Sequence, residues 1–97
     1  MNVSGKATFP YGEFAKKLEE FNISKKQAGE LSHHLLEIDM FVSGFKPHIE
    51  KIIKCKKSEK DDFKELLEDL WGELEHHIIE HHMIPAKKIL NKITNRL

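Results

Sequence analysis

Along most of this chain apolar residues return every three or four positions, the period of one face of an α-helix. No segment alternates apolar and polar residues at the period of two that a half-buried strand requires. The first helical face runs from Tyr11 through Phe14, Ala15 and Leu18 to Phe21. Asn22 and Ile23 interrupt it, and Ser24 can cap a second helix because its hydroxyl accepts a backbone N–H left unpaired in the first turn. That helix carries Ala28, Leu31, Leu35, Ile38, Val42 and Phe45 inward and is expected to run to about Ser43, with Gly44 as the natural stop. Pro47 then opens a short third helix to about Lys57, with Ile49, Ile52 and Ile53 inward. Ser58 caps a fourth, from Glu59 to about Met83, which turns Phe63, Leu67, Leu70, Leu74 and Ile78 to one side. Pro85 ends or kinks it, leaving a last basic amphipathic turn with Ile89, Leu90 and Ile93. The expected fold is all-α: a small antiparallel helical bundle of four to five helices, one domain over residues 11–97, after a flexible N-terminal arm at residues 1–10.

One motif occurs twice. The pattern E-L-x-H-H-x-x-E spans Glu30 to Glu37 and returns 43 positions later at Glu73 to Glu80, with Met40 and Met83 extending the match. Two similar helical hairpins packed about a pseudo-twofold axis are the simplest architecture that would generate it.

The repeated histidines are the candidate chemistry. At about 100° per residue, His77 and His81 fall on the apolar side of the fourth helix, while His76 and Glu80 point away. Histidines at i and i+4 on one face can reach a common ion, and Glu73 stands one turn before His77. On the second helix His34 occupies the equivalent position, His33 turns outward, and Glu30 and Glu37 border the same side. If the two long helices pack face to face, His34, His77 and His81 meet one of Glu30, Glu37 or Glu73, a set of three nitrogens and one oxygen. His48 is a further candidate ligand. Imidazole with carboxylate suits zinc, iron or manganese, so the function expected is that of a small metal-binding protein. The competing view makes these histidines boundary residues with one ring face packed, paired with glutamate as ordinary i, i+4 neighbours.

The spacings H-x-x-x-E at His76 and Glu80 and H-x-x-x-H at His77 and His81, followed by Pro85, resemble those of hemerythrin-like cation-binding bundles. Here both spacings overlap on one helix and the last segment has no histidine, so the likeness is one of spacing over about a third of the chain.

A second apolar stripe lies opposite the core face: Leu36 and Met40 on the second helix, Ile79 and Met83 at the equivalent positions on the fourth. An ordinary surface helix carries charge there. Either the first or last helix covers these residues, or they form an interface with a second copy or a protein partner. The alternative function is accordingly a non-enzymatic interaction or regulatory module.

Charge argues against other classes. The chain is neutral overall, but Lys46 to Ser58 carries +4, Glu59 to Glu80 carries −7 and His81 to Leu97 carries +4. A nucleic-acid surface needs a net basic face. The segment from Glu13 to Leu35 has helix-turn-helix spacing, with Ser24, Lys25, Lys26 and Gln27 as its readers, yet its second helix runs long and no arginine precedes Arg96. No apolar run approaches the roughly 18 residues of a membrane span and no signal-peptide pattern opens the chain, so a cytoplasmic location is expected. Cys55, the single cysteine, can form no intramolecular disulfide and is expected to be an exposed thiol, with neighbouring lysines favouring its thiolate. Phosphate loops and nucleophile motifs are missing from the sequence, so catalysis is not the expected role.

Overall fold

The computed structural model describes residues 3–97. Its regular structure is entirely helical: α1 (Tyr11–Glu20), α2 (Lys25–Lys54), α3 (Lys60–Gly72), a π-helical segment (Glu73–Met83) and α4 (Ile84–Arg96). Gly72, Glu73, Met83 and Ile84 keep right-handed helical dihedrals, so α3, the π segment and α4 run on as one rod. Among the described residues there are thus three continuous helices rather than four or five. None of them is long and apolar enough to cross a membrane.

The helix count differs because Gly44 and Pro47 lie inside α2 instead of ending it. A Cβ at Gly44 would stand 2.7 Å from the Val3 carbonyl oxygen and 2.7 Å from the Ser4 carbonyl carbon, so this glycine serves the close approach of another chain segment. Gly5 is its counterpart, where a Cβ would meet Ser43 Cβ at 2.7 Å. Pro47 withholds one N–H from the ladder without breaking the rod. With α2 continuous over 30 residues, both arms of the expected first hairpin lie on one helix, and the two-hairpin architecture is not formed.

The segment that needs those glycines is the N-terminal arm. Its described residues, 3–10, form no helix but are held along α2: Gly5 N–H donates to the Met40 carbonyl at 2.6 Å, and Thr8 donates from its backbone N–H (2.7 Å) and its hydroxyl (3.0 Å) to the Asp39 carboxylate. These bonds, the Thr8 N–H first among them, hold Asp39 below the usual carboxylate range. Val3 is buried against Phe41 and Ile78. Among the described residues, packing against α2 thus includes Val3, well ahead of Tyr11.

Local signals at the α1–α2 turn hold. Asn22 takes a left-handed conformation (φ 65°), which asparagine tolerates, and Ser24 Oγ accepts from Gln27 N–H at 3.1 Å. The reversal buries Ile23 but leaves Phe21 exposed. At the α2–α3 turn Glu59, not Ser58, takes the cap position, and its carboxylate accepts from Lys56 N–H at 2.8 Å.

Two apolar clusters result. Ile23, Ala28, Leu31, Ala86 and Ile93 form the first, against Phe14, Ala15 and Leu18 of α1. Val3, Phe41 and Ile78 form the second, with Ile38, Leu70 and Leu74. Beyond the second cluster α2 and α3 continue as a bare hairpin. Val42 (62% exposed), Phe45 (43%), Phe63 (41%) and Leu67 (43%), all expected inward, lie open there, because the core residues of α1 and α4 pack against Ala28, Leu31 and Leu35 in the first half of α2.

Candidate metal centre

Between the two apolar clusters lies a layer of imidazoles and carboxylates. α2 supplies His33, His34 and Glu37, one to two turns from Leu31 and Phe41; the π segment supplies Glu73, His77 and His82, around Ile78. Ligand atoms of Glu37, His77 and His82 lie within 4.8 Å of one another.

The π segment decides which histidines are inside. A π-helix pairs residue i with i+5 and turns more slowly per residue than an α-helix, so position i+5, which an α-helix sends to the far side, swings toward the face of i and His82 comes to lie beside His77. The His77 and His82 ring centroids are 4.8 Å apart. His82 is buried and His81 exposed, reversing the order expected from a 3.6-residue period. Sequence reasoning missed His82 for this reason, and its placement on the line Glu73, His77, His82, Ala86 is legible only once the wider turn is known.

Hydrogen bonds set the tautomers. Glu73 Oε2 lies 2.8 Å from His77 Nδ1, and since an ionised carboxylate only accepts, Nδ1 carries the proton. That leaves the His77 Nε2 lone pair facing Glu37 Oε2 across 3.7 Å. Two acceptors at this separation are joined only through something that donates to both or carries positive charge, such as a bridging water or a cation. On the other side His34 Nδ1 and His82 Nδ1 share one proton at 2.9 Å. His33 packs its ring against both, with centroids at 5.6 Å and 5.4 Å.

The layer favours neutral imidazoles at its buried edge. Burial pushes His82 below the ordinary imidazole range, and the neighbouring His77, His34 and His33 push the same way against the opposing Glu37. Burial and then His33 do the same to His34, opposed by Glu30. Neutral imidazole is the form that binds a metal.

The expected ligands divide accordingly. Glu37 and His77 are together with His82, Glu73 is hydrogen-bonded to His77 and His34 to His82, and His81 lies exposed outside the layer. Glu30 is exposed and acts on His34 only through its charge. His48 is far from the layer, buried with its Nε2 donating to the Leu66 carbonyl at 2.8 Å. The repeat is not symmetric in three dimensions either: Glu37 faces the layer, whereas its counterpart Glu80 is outside, 3.7 Å from His76. A second group, Glu75, His76 and Glu80, also brings ligand atoms within 4.8 Å, but on the exposed side of the rod.

The other expected surfaces are also placed. Leu36 and Met40 are half-buried, and Ile79 and Met83 are exposed, so the stripe is divided between the two. Of the supposed nucleic-acid readers, Gln27 is engaged by Arg96, whose Nη1 donates to its Oε1 at 3.1 Å. Cys55 is half-buried, and burial, then Glu59 and Asp62, raise its pKa; the acidic side of the hairpin outweighs the lysines adjacent in sequence.

No protein-family model, no curated protein and no solved structure matches this chain.

Proposed function

We propose that this protein binds a divalent transition metal, with Glu37, His77 and His82 as ligands and His34 and Glu73 as the groups that orient them. The observation carrying this reading is the 3.7 Å gap between His77 Nε2 and Glu37 Oε2, with His77 Nδ1 already committed to Glu73. A carboxylate behind a ligating imidazole is the usual outer-shell partner of a metal-bound histidine: it fixes the tautomer and raises the basicity of the ligating nitrogen. Glu73 is in that relation to His77. When the proton shared by His34 and His82 resides on His82 Nδ1, the His82 Nε2 lone pair is free for a cation and His34 becomes a positioning residue.

Two imidazoles and one carboxylate are the donor set of zinc sites with an open position and of non-haem iron sites, and the set also accepts manganese. The test is titration of untagged, chelator-stripped protein with zinc, iron(II) and manganese(II) by calorimetry. One ion per chain, with protons released on binding, is expected. Heat absent for all three ions, or a drifting stoichiometry like that of surface histidines, contradicts the reading.

A second reading, a non-enzymatic interaction module using Leu36, Met40, Ile79 and Met83, is favoured by the exposure of Ile79 and Met83. Replacing both by glutamate should abolish association without loss of helix if that stripe is an interface.

A further inference from the structure

The hairpin formed by the second half of α2 and α3 carries an apolar face that one chain covers only in part. On α2 the face consists of Val42, Phe45, Ile49 and Ile52, spaced three, four and three apart; on α3 it consists of Phe63, Leu67 and Leu70, spaced four and three apart, with Val42, Phe45, Phe63 and Leu67 exposed and Ile49, Ile52 and Leu70 half-buried. This alternation is the heptad spacing of helices that bury a narrow seam in a coiled-coil-like bundle.

His48, hydrogen-bonded to Leu66, marks the line along which the two helices touch. Counting around each helix from that line, both stripes turn to the same side of the hairpin. The arm lies on the other side, against Met40, Ser43 and Gly44. Trp71 and Ile53 extend the open side and are 60% and 74% exposed.

The surface area says how much is missing. A folded monomer of 11.3 kDa exposes about 5,700 Å² by the scaling of surface with mass, whereas this chain exposes 7130 Å². The excess is more than about 1,000 Å², and a standard specific interface removes about 800 Å² from each partner. Shape agrees: the radius of gyration is 16.8 Å, against about 13 Å for a compact chain of this length, and the extents are 57 × 22 × 16 Å.

We infer that this face is a homodimer interface, in which the α2–α3 hairpins of two chains stack about a twofold axis into a four-helix bundle. A second copy is the occupant that the face itself specifies. Each chain presents two helices with matching seam spacing, two such hairpins complete an antiparallel bundle, and the area to be covered is that of one isologous contact. The surface is distinct from the stripe of Leu36, Met40, Ile79 and Met83, and the inference does not depend on metal binding.

Sedimentation equilibrium of the full chain, with and without a chelator, tests it. The wild type is expected at twice 11.3 kDa in both conditions. Phe45→Ser with Leu67→Ser should lower the mass to one chain while the helical circular dichroism is kept. Trp71, the single tryptophan, gives a readout on the unaltered protein: its quenching by iodide should rise severalfold on dilution as the dimer parts. A wild type of single-chain mass with equally quenched Trp71 at every concentration overturns the inference, leaving the face to a different partner. So does a folded Phe45→Ser, Leu67→Ser protein that remains dimeric.

Discussion

The two ends of this molecule are built from the same kind of helix yet finished differently. At one end α1 and α4 close over α2, and Ile23, Ala28, Leu31, Ala86 and Ile93 have almost no exposure; at the other, α2 and α3 lie side by side with Phe45, Leu67 and Trp71 in the open. An apolar stripe on a helix therefore states that something must cover it, not that the same chain does. The histidine layer sits on the border, where one face is packed on the closed end and polar groups can still meet each other.

Substitutions at matched leucines should separate the ends most. Leu31→Ala removes a fully buried side chain in a cluster that α1 and α4 enclose, and a loss of about 2–5 kcal/mol in urea unfolding is expected. Leu67→Ala, at a residue 43% exposed, should cost each folded chain much less and act mainly on association. Equal losses at both positions, measured at concentrations where the chain is monomeric, would remove the distinction between the ends.

The arm gives the next effect. Gly44→Ala places a Cβ under 3.0 Å from the backbone of Val3 and Ser4, so either the arm leaves or α2 shifts. Overpacking of this kind costs about 1–3 kcal/mol, and hydrogen exchange at Gly5 and Thr8 should accelerate. Unchanged protection of those amides would mean that the arm does not depend on the glycine.

Acid should act on the border. Burial holds the folded pKa of His82 and His34 below the unfolded value of 6.5, so between those values the unfolded chain binds more protons. Their contribution to stability is present above pH 6.5 and is lost as pH falls through the folded values. With chelator present, the urea midpoint should drop from pH 7.5 to pH 5, and His82→Leu should flatten that drop. A midpoint that rises on acidification would contradict the sign.

These contrasts also show what could be read from residue order. Helical periodicity identified the all-α class, the α1–α2 turn at Asn22 and the Ser24 cap, because each rests on interactions within a few residues. Gly44 was misleading because its purpose lies 40 residues away, in an arm whose approach no local pattern announces. The candidate site was legible in part: the doubled His-His motif brought forward His34, Glu37, Glu73 and His77, which the fold gathers in one layer. The exchange of His81 for His82 came from π winding, for which the sequence of the segment offers no cue that distinguishes it from ordinary helix.

The exchange of His81 for His82 can be tested directly. Zinc titration of the wild type beside His81→Ala and His82→Ala, all stripped of metal and shown to be folded, measures it directly. One bound zinc per chain is expected for the wild type and for His81→Ala, and a loss of at least tenfold in affinity for His82→Ala. Loss on His81→Ala with retention on His82→Ala would contradict both the π register and the site built on it.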